Sequence, residues 1–177
     1  SMCYPVSSMG SHVSVVPNHQ LNRKTPLHTR ANVAYFGTFG YELDLNKLSD
    51  EEISEVKQQI TFMKEYRELI QFGTFYRLKS PFEGNETVWM TVSEDKKTAL
   101  VFWYRERNVV NADFTRVRLQ GLDPDLIYRN EYNETENYGD ELMNLGLLTT
   151  DCTAGEPTSE DEPCTDYESR IYVLTAK

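Results

Sequence analysis

The spacing of apolar residues along the chain changes near Phe72-Gly73. Before that point apolar residues recur at three- and four-residue steps, which is the period of a helix that buries one face. After it the period shortens to two, and turn-forming residues separate the apolar segments. The pattern predicts a short strand, a long loop and two helices, followed by a domain built almost entirely from strands.

The first 40 residues predict one strand and one short helix. Met2 to Val16 mixes small, apolar and polar residues around Gly10, which is typical of a short strand with an irregular continuation. Thr25-Pro26 is a favourable start for a helix, and the apolar spacing that follows predicts a helix that ends around Gly37 to Gly40.

The sequence marks the N-terminus of the second helix clearly. Ser49 is followed three residues later by Glu52, the spacing at which the two residues cap a helix reciprocally. Gly73 is well placed to end the helix. One apolar stripe is predicted along it, made of Ile53, Val56, Ile60, Met63 and Ile70.

Seven strands are predicted beyond Gly73. They are Phe75 to Leu78, Glu86 to Ser93, Ala99 to Arg105, Phe114 to Leu122, Ile127 to Tyr132, Glu141 to Leu148 and Ser169 to Thr175. Many short strands at this spacing, rich in Val, Thr and aromatic residues, favour an antiparallel β-sandwich. The acidic run Asp151 to Asp166 has no periodicity and predicts a surface loop.

Charge and composition narrow the possible partners. The net charge is −10, so the field of the chain repels phosphate backbones, and nucleic acid is not expected as a partner. No segment has the length of a membrane helix, and the start does not resemble a signal peptide. Three cysteines, Cys3, Cys152 and Cys164, lack metal-type spacing. We therefore expect a cytoplasmic protein with unpaired thiols and no membrane partner, although Cys152 and Cys164 could close a loop in an oxidising compartment.

Six segments spread over the chain resemble glycoside hydrolase family 36 α-galactosidases. They read CYPVSSMGSHVS at 3–14, VPNHQ at 16–20, TPLHTR at 25–30, VAYFGTFGYELD at 33–44, YRELIQ at 66–71 and YGDELM at 138–143. The first segment is similar to the part of the family that follows its acid/base aspartate.

The resemblance implies a domain organisation and an activity. Members of the family consist of an N-terminal β-domain, a (β/α)8 barrel with the active site, and a C-terminal β-domain. Residues 1–71 would then be the barrel's last strand and helix, and residues 72–177 the C-terminal sandwich, which makes the chain mainly β with an α/β part. The implied whole protein is a bacterial, homotetrameric enzyme that removes terminal α-galactose from melibiose or raffinose, with no cofactor and no metal.

The resemblance also places the catalytic groups outside the chain. A retaining glycosidase uses two carboxyl groups, and the family's acid/base aspartate and the Lys-Trp-Asp motif of its nucleophile have no counterpart in these 177 residues. We expect both aspartates upstream of Ser1, no catalytic residue here and no activity of this stretch alone. If Cys3 to Ser8 is the eighth barrel strand, it has no parallel neighbour within the chain, and His12 emerges at the active-site face.

Two kinds of residue other than catalytic carboxylates are candidates for sugar contacts. His12 could line the galactose pocket, or it could anchor the irregular loop through a structural hydrogen bond. Trp89 and Trp103 lie on adjacent predicted strands and could form a sugar-stacking platform, although aromatic residues in strands more often fill a core. The alternative function is therefore a non-catalytic carbohydrate-binding or oligomerisation module, and exposure of the two indoles would distinguish it.

Overall fold

The computed structural model describes residues 3–109, 114–149 and 166–177. These residues form two compact units, which divide the sequence between Gly73 and Thr74. In the described part of the chain, no helix is long and apolar enough to cross a membrane.

Some of the sequence-based predictions fall outside the described residues. Both catalytic aspartates are expected upstream of Ser1, outside the described ranges, and their position stays a prediction. Of the predicted loop from Asp151 to Asp166, all but the last residue also lies outside the described ranges, as do Cys152 and Cys164. Cys3 is described, and it is an exposed free thiol.

The first unit alternates strands and helices. Strand β1 (Gly10–Ser14) precedes helix α1 (Leu27–Ala34), strand β2 (Thr38–Glu42) and helix α2 (Asp50–Phe72). β1 and β2 pair in parallel, with Gly10 opposite Thr38 and Ser14 opposite Glu42. α1 connects the two strands and contacts both of them. The unit is thus a parallel β-α-β arrangement followed by a long helix.

The position of the first strand differs from the prediction. Cys3 to Ser8 is not a strand, because the Ser8 amide and hydroxyl both donate to the Pro5 carbonyl, at 3.0 and 2.9 Å, and close a 3-10 turn over Val6–Ser8. Such local bonds compete with pairing in a sheet. The strand begins instead at Gly10 and has one parallel neighbour among the described residues.

A second strand was not predicted at all. The sequence predicted that the first helix would continue to Gly37 to Gly40, whereas α1 ends at Ala34 and β2 begins at Thr38. The reversal depends on Gly37, whose φ is +155°. A Cβ atom at Gly37 would lie 2.6 Å from the Met9 carbonyl oxygen, so the chain turns where only glycine fits.

Helix α2 agrees with the prediction at both ends. The Glu52 amide donates to Ser49 Oγ at 3.2 Å, and the Ser49 amide donates to Glu52 Oε2 at 2.9 Å, which is the reciprocal capping arrangement. Gly73 follows its last residue. The buried residues of the helix include the polar Gln59 beside Val56 and Met63, which was not predicted, whereas Ile53 and Ile60 of the predicted stripe are only half-buried.

The second unit is an antiparallel β-structure, as predicted. Its elements are β3 (Thr74–Lys79), β4 (Glu86–Val92), β5 (Thr98–Arg105), β6 (Arg116–Val117), β7 (Ile127–Asn130), β8 (Glu136–Tyr138), α3 (Gly139–Asn144), β9 (Leu147–Leu148) and β10 (Glu168–Ala176). Six strands form one sheet in the order β3-β4-β5-β10-β7-β8. β6 and β9 form a second, two-stranded sheet.

The core of the second unit lies between these layers. One face of the large sheet contributes residues such as Val88, Trp103 and Tyr172, and it packs against Val117 of β6 and Leu142 of α3 in a single buried cluster. Trp103 is completely buried. The β-rich fold class expected from the sequence, with a sandwich after an α/β segment, is confirmed.

Two predicted strands in this unit are wrong, and one strand was missed. Glu141 to Leu148 was predicted as a strand, but it forms most of helix α3 and the short β9. Phe114 to Leu122 contributes only the two residues of β6, and the strand Glu136–Tyr138 was not predicted. A short apolar run is compatible with either a helix or a strand, so periodicity alone did not decide which of the two forms here. Acidic residues in the first turn of α3 favour the helix.

Candidate functional site

The carboxyl ends of β1 and β2 are the place where a parallel unit of this kind presents a site. One face of the strand pair is covered, because Val13 is completely buried next to α1. Successive side chains of a strand point to opposite faces, so His12 and Ser14 lie on the other face. Gly40 and Glu42 share that face by register.

His12 and Glu42 contact each other on this open face. His12 Nε2 lies 2.5 Å from Glu42 Oε2, and the two side chains are 52% and 72% exposed. The space beside the imidazole is open within the described residues, because a Cβ atom at Gly10 or Gly40 would meet nothing within 4 Å. The structure therefore places the predicted site residue His12 beside a carboxylate that the sequence analysis had not singled out.

The loop that follows β1 is held by hydrogen bonds between side chains and the backbone. Arg30 of α1 donates to the Ser14 carbonyl at 2.6 Å and to the Thr25 carbonyl at 3.0 Å. Partial burial lowers the pKa of the Arg30 guanidinium. Inside the loop, the side chain of Asn18 accepts bonds from the amides of Gln20 and Leu21, each at 3.0 Å. These contacts fix the chain at the end of β1.

Aromatic residues support β2 from the helix side. Tyr41 donates from its hydroxyl to Gln59 Oε1 at 2.8 Å, and Gln59 donates to Glu55 Oε1 at 2.7 Å. Phe39 stacks on Tyr35 with ring centroids 4.9 Å apart. Burial, with Glu55 nearby, raises the pKa of Tyr41 to about 12, and burial raises the pKa of Tyr35 as well. Two neutral phenols, one buried and one half-buried, therefore position the strand that carries Glu42.

Several carboxylates of the described residues have structural partners. Asp44 accepts from the Asn46 amide, Glu52 caps α2, and Glu86 pairs with Lys79. Glu168 bridges two arginines. No group of three potential metal ligands occurs among residues 3–109, 114–149 and 166–177. The expectation that the chain contains no catalytic residue stays a prediction.

The two tryptophans do not form a shared platform. Trp103 lies in the core, where the guanidinium groups of Arg105 and Arg170 stack over its ring at 5.3 and 5.5 Å. Trp89 is opposite Phe102 in the register, so it faces the other side of the sheet, where its ring lies 5.4 Å from that of Tyr104. One indole is buried and the other is half-buried, on opposite faces.

Two family models match the chain, one for each unit. Residues 1–73 match the model described as Melibiase. Residues 86–174, half of the chain, match the C-terminal domain of glycosyl hydrolase family 36. This chain belongs to glycosyl hydrolase family 36. The resemblance inferred from the sequence is therefore confirmed.

Individual relatives in family 36 are similar over most of the chain. The α-galactosidase AgaA of Geobacillus stearothermophilus is 52% identical over 147 residues, which cover 83% of this chain and 20% of AgaA. α-Galactosidase 1 of Pediococcus pentosaceus is 44% identical over 176 residues, which cover 99% of this chain and 22% of that protein. The chain thus spans about a fifth of the length of these relatives.

Solved structures of family 36 enzymes share the fold. AgaA superposes with a TM-score of 0.88 at 45% identity over 98% of this chain and 23% of AgaA. The α-galactosidase from Lactobacillus brevis superposes with a TM-score of 0.89 at 43% identity, again over 98% of this chain and 23% of that one. Variants of AgaA have been crystallised with stachyose and with raffinose.

Proposed function

We propose that the protein to which this chain belongs is an α-galactosidase. It hydrolyses terminal non-reducing α-D-galactosyl residues from oligosaccharides such as melibiose and raffinose, by a retaining mechanism with two carboxylates. The observation that carries the proposal is the 45% identity to AgaA over 98% of this chain, together with the binding of raffinose by an AgaA variant.

Within that enzyme, residues 1–71 supply the end of the catalytic barrel. The support is the parallel β-α-β-α order of the first unit, which is the repeating order of such barrels. Among the described residues β1 and β2 pair only with each other. Parallel strands are normally paired and covered on both faces, so further strands from the whole protein would complete the sheet. Residues 72–177 form the supporting sandwich.

Both catalytic carboxylates lie upstream of Ser1 in the whole protein under this proposal. The acidic groups near the strand ends make structural contacts instead. Glu42 contacts His12, and Asp44 caps a turn. His12 lines or supports the galactose pocket. Its position on the open face near the end of β1 supports this assignment.

An assembly role for the sandwich is a second candidate. The exposed apolar side chains of this unit include Phe82 at 95% and Phe114 at 61%, and exposed aromatic residues are common at protein interfaces. A homotetrameric whole protein remains our proposal, as does a bacterial and cytoplasmic origin. A carbohydrate-binding module is less well supported, because Trp103 is buried in the core.

The test is to express the complete gene product and follow raffinose by proton NMR. The proposal predicts release of galactose, with the α-anomer appearing first because a retaining mechanism inverts the anomeric centre twice. Maltose, which has no galactosyl group, is the control substrate. Failure to release galactose from raffinose, melibiose and a nitrophenyl α-galactoside would contradict the proposal.

A further inference from the structure

The His12 and Glu42 pair joins two neighbouring parallel strands at their carboxyl ends. Glu42 is the last residue of β2, and His12 lies two residues before the end of β1. Both side chains are on the face opposite the buried Val13. The pair therefore lies where a barrel presents its ligand, and on the face that points away from the helices.

The contact with Glu42 fixes the proton arrangement of the imidazole. An ionised carboxylate only accepts hydrogen bonds, so His12 Nε2 carries a proton and donates it to Glu42 Oε2 at 2.5 Å. In the neutral ring Nδ1 is then an acceptor. Within the part of the chain that the structure describes, Nδ1 has no hydrogen-bond partner. The ring that carries this acceptor is on the same open face as the cross-strand neighbour Gly40.

We propose that Glu42 is a positioning residue that acts through His12. It holds the Nε2–H tautomer and the orientation of the ring, so that Nδ1 accepts a hydrogen bond from a hydroxyl group of the bound α-galactoside. The inference rests on the proposed function, and it assigns to Glu42 a duty in substrate binding. No bond is formed or broken in this role.

The competing explanation is that the pair only ties β1 to β2. The two explanations differ in which nitrogen of His12 matters. A strand tie needs Nε2 alone, since that is the atom that meets Glu42. Substrate binding needs Nδ1, with Nε2 as the means of fixing it. Asparagine places its amide near the position of Nδ1, whereas glutamine reaches the position of Nε2, so the two substitutions separate the roles.

The experiment compares variants of the complete gene product. Wild type, Glu42→Gln, His12→Asn and His12→Gln are assayed for kcat and KM with a nitrophenyl α-galactoside, and their thermal unfolding is recorded. Glu68→Gln, on an exposed position of α2, is the matched control for loss of one carboxylate charge. A double variant with Glu42→Gln and His12→Asn completes a double-mutant cycle for the two residues.

The proposal predicts that Glu42→Gln lowers kcat/KM by about tenfold, mainly through KM, because the neutral amide can either accept from Nε2 or donate to it and therefore no longer holds the ring in the Nε2–H tautomer. His12→Asn keeps an acceptor near the position of Nδ1 but loses the contact with Glu42, so it loses about as much as Glu42→Gln, and adding Glu42→Gln to it causes no further loss. His12→Gln, which lacks that acceptor, loses more than His12→Asn. The control stays at the wild-type value.

Equal kcat/KM for all variants, or a loss and a fall in Tm for His12→Asn as large as or larger than those for His12→Gln, would overturn the inference and leave the strand tie. If Glu42→Gln does not fold, the comparison of the two His12 variants still decides. A wild-type protein without α-galactosidase activity would overturn both this inference and the proposed function, and it is recognised before any variant is compared.

Discussion

Gly139 provides a sharp test of the packing in the second unit. An ideal Cβ atom on this residue would lie 1.9 Å from the carbonyl oxygen of Asp123 and 3.1 Å from Cε2 of Tyr128. Ordinary contacts are about 3.5 Å, so the two segments would have to separate by roughly 1.5 Å. That movement strains the bonds from the Gly139 amide to Leu126 at 2.9 Å and from the Asp140 amide to Pro124 at 3.3 Å.

The expected cost of Gly139→Ala follows from these contacts. Overpacking costs about 1 to 3 kcal/mol, and each lost hydrogen bond costs about 1 kcal/mol. The free energy of unfolding should therefore fall by about 3 to 5 kcal/mol. The residue belongs to the YGDELM segment at 138–143, so this packing gives a physical reason for a glycine at that point in the family-like motif.

Urea unfolding followed by tryptophan fluorescence measures this cost. Both tryptophans of the chain, Trp89 and Trp103, lie in the second unit, so the signal reports that unit. With a slope of about 2 kcal/mol per M, the midpoint should fall by roughly 2 M. Gly84→Ala is the control, because a Cβ atom there meets nothing within 4 Å. Equal midpoints for the two variants would refute the reasoning.

Three further predictions concern buried groups. Glu168→Gln leaves the buried guanidinium groups of Arg105 and Arg170 without their shared carboxylate, and it should lower the free energy of unfolding by about 3 kcal/mol in urea titrations. Trp103→Ala opens a cavity in the core and should cost about 3 to 5 kcal/mol in the same assay, read by circular dichroism. The raised pKa of Tyr41 implies that its contribution to stability is full below about pH 10 and is lost as the pH rises to about 12. Tyr41→Phe should therefore reduce the alkaline loss of Tm.

Each of these predictions has a control within the chain. Glu136 forms an exposed pair with Lys177, so Glu136→Gln should change stability by less than about 1 kcal/mol. Trp89→Ala removes a half-buried ring and should cost less than Trp103→Ala. Similar losses within either pair would argue against the burial assigned to the core residue. An unchanged alkaline profile for Tyr41→Phe would argue against burial as the cause of its pKa.

Much of the fold followed from local sequence signals. The capping of α2 by Ser49 and Glu52 and the apolar and aromatic runs of β4 and β5 were visible in the sequence, because they depend on neighbouring residues. The location of β1 and the existence of β2 were not visible in the sequence. The first depends on bonds to the Pro5 carbonyl, and the second depends on a turn at Gly37 that packs against Met9, 28 residues earlier.

The candidate site was predictable only in part. His12 was found through the resemblance and the expected strand ends, although the strand proved to lie later in the chain. Glu42 was not found, because its meeting with His12 requires the parallel pairing of β1 with β2 across 30 residues. The alternation of TFGYE at 38–42 was the available signal for that strand.

The most direct test of the account is the activity of the 177-residue polypeptide itself. It is purified and assayed with a nitrophenyl α-galactoside, beside AgaA as the active reference. Because the nucleophile and the acid/base group are proposed to lie upstream of Ser1, the account predicts no hydrolysis above buffer. Turnover that survives repeated purification and follows the polypeptide through each step would contradict the claim that both catalytic carboxylates lie outside this chain.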